Sequence, residues 1–218
     1  MKVKKSTLAI VWLLTVIAAI FATLWVSDHI RGEMDVPLAV SDDPLDYLGS
    51  TRMVPITPDI TARAWAIVGG EQDQGEQARL IHSSIARNQF YDRDSVRSGT
   101  VSWSANQADS VYENRRGVCE GYSNLEVAFL RAVGIPARKV ICRLTANGSQ
   151  ILHSYAAAYW DGEWHLMDVT FDSRNVYQDE TWVSGNQSRE DSLAWFDVEP
   201  EVFFRLHGEE IFYAERYY

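Results

Sequence analysis

Three residues have the types and spacing of a thiol acyl-transfer centre: Cys119, His153 and Asp168. In such a centre a thiolate attacks an amide or ester carbonyl. An imidazole takes the thiol proton and later protonates the leaving amine. A carboxylate fixes the imidazole tautomer and supports its charged form. Each residue also has a plain structural alternative. Cys119 could plug a helix start, His153 could be a satisfied core histidine, and Asp168 could be a surface acid beside a hairpin. Their placement on the secondary structure decides between these readings.

Cys119 stands at the mouth of an amphipathic helix within 117–138, GVCEGYSNLEVAFLRAVGIPAR. From Val118 the apolar residues Tyr122, Leu125, Phe129 and Ala132 recur in steps of four and three, a helical stripe. Gly134 is a stop signal and Pro136 prevents continuation. In the first turn, unpaired N–H groups and the helix dipole favour an anion, which suits the attacking form of a thiol.

Beyond Pro136 the apolar period changes from 3.6 to 2. Segments 137–144, 151–160 and 163–171 read as strands, with Asn147-Gly148 and Asp161-Gly162 as hairpin turns. A two-residue turn at 161–162 pairs Trp160 with Glu163. Tyr155 then lies opposite Asp168, His153 opposite Thr170, and His165 opposite Ala158. His153 and Asp168 become diagonal neighbours on one face, and His165 points to the other. A one-residue bulge would reverse that selection. Upstream, 61–68, 76–88 (with Ala78, Ile81 and Ile85 on one face) and 108–113 read as helices. Residues 92–107 read as a polar loop around Trp103. Helices followed by antiparallel strands predict an α+β domain.

The 218-residue chain divides into three parts. Residues 1–26 are an anchor or signal segment, 27–60 a linker rich in Asp, Pro and Ser, and 61–218 the catalytic domain. The basic start MKVKK precedes an uncharged run from 7 to 26, about the length that crosses a bilayer. It predicts an N-terminal transmembrane helix with its N-terminus cytoplasmic and the domain extracytoplasmic. The rival is a cleaved signal peptide, which would make the domain secreted. Asp42, Asp43 and Asp46 match no calcium-loop spacing. No metal or cofactor motif is present.

The net charge is −10, and since 1–26 hold three lysines and no acids, the linker and domain carry −13. Such a surface excludes sequence-independent nucleic-acid binding, which requires phosphate neutralisation. Two cysteines are too few for a disulfide framework. Cys142 is expected as a buried small apolar residue. A Cys119–Cys142 bridge would block the nucleophile.

The runs RRGVCEGYSNLEVAFLRAVGIPAR, HSYAAAYWDGEWHLMD and VTFD resemble the core of the transglutaminase-like superfamily, in its bacterial-type cysteine peptidase branch. Residues 78–92, ARLIHSSIARNQFYD, resemble the helix and Tyr-Asp step before that core. Residues 195–207, WFDVEPEVFFRLH, resemble a tail of the peptidase-like branch. The resemblance implies a papain-like, transglutaminase-like core, with the nucleophile at a helix N-terminus packed on an antiparallel sheet. It implies Cys119 as nucleophile, His153 as general base and acid, and Asp168 as orienting carboxylate. Where the family commonly has Pro-Thr-Trp-Asp, this chain has Val169-Thr170-Phe171-Asp172, which keeps the apolar character.

The expected activity is that of a membrane-anchored thiol hydrolase or acyltransferase acting on peptide amide or glutamine carboxamide bonds. Hydrolysis is favoured, because no feature marks an amine-binding pocket. The substrate is then a peptide or protein. The Cys119 N–H is one expected oxyanion donor, and Tyr91, Gln89 and Trp103 are candidates for a second. The alternative is a non-catalytic module of the same fold that binds an envelope polymer or a partner protein. The aromatic residues Trp195, Phe196, Phe203, Phe204, Phe212, Tyr213, Tyr217 and Tyr218 would supply its surface, unless they pack as core.

Overall fold

The computed structural model describes residues 41–146, 149–173, 193–208 and the backbone of 210–212. The 1–26 segment and the Asn147-Gly148 turn lie outside the described residues. Among those described, no helix is long and apolar enough to cross a membrane.

Two helices come first. Helix α1 (Pro58–Val68) starts with Thr57, whose hydroxyl accepts the Ile60 N–H, and with Pro58 at its first position. Both are helix-start chemistry. Helix α2 (Gln74–Asn88) starts with Asp73, which accepts the Glu76 N–H at 2.8 Å. Its expected face is buried: Ala78, Ile81 and Ile85. Part of the stretch read as a linker belongs to the fold. Tyr47, Met53 and Val54 are buried, and the Gly49 carbonyl accepts from the Arg131 guanidinium at 2.7 Å. The polar composition there reflects turn chemistry: Asp43 caps a short 3-10 turn (Pro44–Tyr47) beneath which Tyr47 turns inward.

The expected loop 92–107 is also partly ordered. Strand β1 (Phe90–Tyr91) leads into helix α3 (Arg93–Ser98), which is capped by Asp92 and closed by Gly99 at φ 67°. A 3-10 turn (Ser104–Asn106) follows, and then helix α4 (Ala108–Asn114). These segments bury few apolar side chains, so no period marks them. Strand β2 (Arg116–Gly117) pairs in parallel with β1, setting Tyr91 beside Gly117. This pairing carries Tyr91 to the start of the next helix.

Helix α5 (Cys119–Ala132) is the centre of the molecule, with residues 121–131 buried throughout. It ends as expected: Gly134 adopts φ 88°, and the Ile135 N–H returns to the Leu130 carbonyl. Strands β3 (Ala137–Ala146), β4 (Ser149–Trp160), β5 (Glu163–Met167) and β6 (Glu210–Phe212) form one antiparallel sheet in the order β5-β4-β3-β6. Asp161 and Gly162 both have positive φ, as a two-residue hairpin turn requires. Trp160 pairs with Glu163 and Ala158 with His165, so no bulge disturbs the deduced register.

Strand β5 stops at Met167, four residues short of the expected end. Asp168 Oδ1 accepts the Thr170 N–H at 3.0 Å, and its carbonyl takes the Phe171 N–H. This local side-chain bonding competes with ladder pairing and turns the chain.

The sheet has two buried faces. Ala156, Ala158, Trp160 and Met167 join α1, α2, α4 and α5 in the main core. Val140, Cys142, Tyr155, Ala157 and Leu166 form a second core with Phe203 of helix α6 (Pro200–His207). Each fully buried large aliphatic or aromatic side chain contributes about 1.5–3 kcal/mol. Of the expected aromatic surface, Trp195, Phe196 and Phe203 pack against the domain and Phe204 is exposed, while the side chains of Phe212, Tyr213, Tyr217 and Tyr218 lie outside the described residues.

Candidate active site

Cys119 occupies the first position of α5 and is partly accessible. The preceding residue, Val118, lacks a capping side chain of its own. Its N–H is taken by Asn106 Oδ1 at 2.9 Å. Asn106 also donates to the Ser102 carbonyl, and its own carbonyl accepts from Asn124 Nδ2 at 2.7 Å. Gly117 and Gly121 leave room for this side chain. A Cβ on Gly121 would lie 2.6 Å from Asn106 Oδ1.

His153 sits on β4 with its ring stacked on Phe171. Its Nε2 bonds Asp168 Oδ2 at 2.6 Å, and Cys119 lies near enough to the imidazole to favour its charged form. Since Nε2 is committed to Asp168, Nδ1 is the nitrogen left for the thiol. Burial, the largest influence, disfavours the imidazolium. The Asp168 charge and hydrogen bond, with the influence of Cys119, outweigh it and raise His153 to about 10. Burial likewise opposes ionisation of Asp168, but His153 and His207 hold the carboxyl well below the usual range. The diagonal contact deduced from the hairpin register is thus present, although Asp168 lies one residue beyond the ladder.

Of the three auxiliary candidates, Tyr91 comes to the cysteine. Tyr91 is partly buried, and burial, followed by the nearby Cys119, pushes its ionisation upward. Gln89 is buried and lines a separate cleft with Arg63, Ser84, Tyr112 and Arg115. Trp103 is half exposed, at the turn whose carbonyl accepts the Asn106 N–H. Tyr122 packs, with its hydroxyl 3.3 Å from Ser173 Oγ. Cys142 is buried opposite His153 on β3, and neither cysteine is in a disulfide.

Three features escaped sequence reasoning. Asn106 lay in a segment without periodicity. His207 Nε2 reaches the same Asp168 oxygen at 2.8 Å. In the sequence His207 stood only as the last residue of the 195–207 tail, an i, i+4 step from Phe203. The third is a buried ionic group: His82 bonds Glu126 at 2.6 Å and Asp172 at 2.9 Å. Asp172 in turn accepts the Ala194 and Trp195 N–H groups, and the Trp195 carbonyl accepts that of Asp168. Helix α5 is thereby tied through α2 to the chain around Asp168. Burial disfavours the His82 imidazolium, but Glu126 and Asp172 outweigh it and raise His82 to about 9. The donor atoms of His153, Asp168 and His207 lie within 4.8 Å of one another. They are disposed as hydrogen bonds, with both imidazole nitrogens directed at one carboxylate oxygen.

The chain is similar to several solved structures. A protein from Cytophaga hutchinsonii, provisionally assigned as a cysteine protease, is 25% identical over 64% of this chain and 47% of its own, with TM-score 0.52. The periplasmic domain of TgpA from Pseudomonas aeruginosa, bound to ethylmercury, is 19% identical over 60% of this chain and 49% of its own, with TM-score 0.43. The chain thus spans about half the length of these structures. No curated protein sequence matches it. The model of the transglutaminase-like superfamily matches residues 61–169, half of the sequence, from within α1 to the residue after Asp168. The chain belongs to the transglutaminase-like superfamily.

Proposed function

We propose that this chain is a thiol hydrolase of peptide amide or glutamine carboxamide bonds, working through Cys119, His153 and Asp168. The observation that carries this reading is the His153–Asp168 hydrogen bond, with Cys119 at the start of α5 favouring the charged form of His153. The Cys119 sulfur attacks the carbonyl carbon, and charge moves onto the carbonyl oxygen. The His153 imidazolium gives its proton to the leaving amine as the C–N bond breaks, leaving an acyl-enzyme. A water molecule, deprotonated by His153, then attacks that thioester and returns the thiol. Asp168 holds the ring and supports its charge throughout.

Two donors serve the oxyanion: the Cys119 N–H and the Tyr91 hydroxyl. Tyr91 is preferred over Gln89 and Trp103 because the β1–β2 pairing sets it beside Gly117, near Cys119, whose charge acts on its hydroxyl. Its upward-shifted ionisation keeps it a phenol, able to donate. Hydrolysis is proposed over amine transfer because it needs only water as acceptor. The uncharged N-terminal run supports a membrane-anchored, extracytoplasmic placement, where peptide or protein substrates of the envelope are met.

The test is labelling of the full chain with a thiol-directed acylating peptide probe. Cys119→Ala is expected to abolish labelling, and His153→Ala to slow it strongly near neutral pH. Labelling undiminished in Cys119→Ala would sink the assignment in favour of a binding module. For placement, carbonate extraction of membranes should leave the chain in the pellet. Release into the supernatant would argue for a cleaved signal.

A further inference from the structure

Asp168 receives more donors than an orienting carboxylate needs. Oδ1 takes the N–H groups of Thr170 at 3.0 Å and Phe171 at 3.3 Å. Oδ2 takes His153 Nε2 at 2.6 Å and His207 Nε2 at 2.8 Å. His207 is fully buried and comes from α6, on the side of the sheet away from α5. Its ring stacks on Phe203, with centroids 3.8 Å apart. Phe171 and Trp195 present their rings around it. The titratable groups facing it are Asp168, His153 and Tyr155.

The hydrogen bonds fix its protons. Nδ1 lies 3.0 Å from the Phe203 carbonyl, which can only accept, so Nδ1 carries hydrogen. Nε2 faces a carboxylate oxygen whose hydrogen bonds keep it ionised against the effect of burial, so Nε2 carries hydrogen too. A neutral ring would set a bare nitrogen against a bare oxygen in a dry interior, and an unmet buried group is costly.

We propose that His207 is a positioning residue: as a doubly protonated imidazolium on α6, it locks the Asp168 carboxylate in the orientation that holds His153 toward Cys119. The proposal rests on the catalytic reading above and adds a fourth residue to it. With both oxygens engaged, the carboxylate cannot turn, and the His153 ring inherits that fixity. Paired charges on Cys119, His153, Asp168 and His207 would sum to zero, which suits a buried group. The site is then completed only when α6 is docked, which explains why a short C-terminal helix buries a histidine at all.

The test compares His207→Phe, which keeps the stack on Phe203, with His207→Gln, which keeps a donor for Asp168. Iodoacetamide alkylation of Cys119 in the full chain is followed against pH. His207→Phe should slow alkylation near neutral pH by about tenfold to a hundredfold, the scale of a misplaced catalytic group. It should also displace the pH profile, and His207→Gln should restore most of both. A purely structural histidine would change the melting temperature without moving the profile. Wild-type rate and profile in both variants, with a changed profile in His153→Ala, would overturn the role of His207 alone. An unchanged profile in His153→Ala as well would overturn the catalytic reading beneath it. Should His207→Phe not fold, 15N NMR of the wild-type ring decides. Two protonated nitrogens are expected, and a bare Nε2 near neutral pH would refute the proposal.

Discussion

Asn106 Oδ1 accepts the backbone N–H of Val118, and so a side chain outside α5 fixes the residue immediately before Cys119. Helix ends expose N–H groups that a capping side chain usually meets. Here Val118 offers none, and Asn106 holds the adjoining buried N–H. Asn106→Ala would leave that donor unmet, at a cost of about 1–3 kcal/mol. It should also slow Cys119 alkylation, because the sulfur moves with the first turn. Urea unfolding and alkylation rates check both. A variant that loses stability but alkylates at the wild-type rate would mean that the first turn holds its place by packing alone.

Gly121 tests the same contact from the other side. A methyl group there would meet Asn106 Oδ1 at 2.6 Å and Val111 Cγ2 at 2.8 Å. Alanine gains about 1 kcal/mol in helix propensity over glycine, but crowding of about 1–3 kcal/mol opposes it. Gly121→Ala is therefore expected to destabilise, by displacing Asn106 from Val118. In the Asn106→Ala background the same change should be milder, even stabilising. Additive effects in a double-mutant cycle would show that the two residues do not share this contact.

The His82 group gives a pH-dependent stability. Its folded value, about 9, lies above the ordinary 6.5. Its stabilisation is therefore complete below about pH 6.5 and lost as pH rises through about 9. Burial pushes Glu126 in the same upward direction, which makes an uncompensated Glu126 expensive. His82→Phe should cost about 3–5 kcal/mol at neutral pH, the usual penalty for breaking a buried pair from one side. The difference from wild type should narrow toward pH 10. Unfolding free energies that keep a constant gap across this range would contradict a charged His82.

What could be read from the sequence follows from which signals are periodic. The stripe on α5, its glycine stop and the Asp161-Gly162 turn carried enough information to place Cys119 and to put His153 and Asp168 on one face. That deduction needed only alternation and one turn type. The ladder ends at Met167 because Asp168 bonds its own turn, a local competition that alternation does not encode. Asn106, His82 and His207 are different in kind. Each acts through a tertiary contact across a dozen residues or more, from a segment whose own pattern says only loop, helix or aromatic tail. The described part of the 27–60 segment was misleading for the opposite reason. Its Asp, Pro and Ser residues make turns, while Tyr47, Met53 and Val54 quietly fill the core.

The two thiols should report separately. Cys142 is fully buried opposite His153, whereas Cys119 is partly accessible, and neither is bridged. Native alkylation is expected to modify one equivalent, at Cys119, with Cys142 reacting only after unfolding. Mass mapping of the labelled peptides reads this directly. Two equivalents under native conditions would mean that the second core opens readily, and none would indicate a bridge or a closed site.

Hydrolysis should lose activity on the alkaline side as His153 gives up its proton. The leaving amine needs the imidazolium, whose folded value is about 10. Below that pH the acid is present, and above it the fraction falls tenfold per unit, so kcat should decline with a midpoint near 10. Asp168→Asn removes the charge that most strongly opposes the effect of burial on His153. The midpoint should then move down toward the ordinary 6.5, and the rate should drop by about a hundredfold to ten-thousandfold, the scale of lost acid–base catalysis. The direction of the midpoint separates this from simple damage. A folded Asp168→Asn protein with reduced rate and an unmoved alkaline limb would show that Asp168 orients the ring without setting its charge.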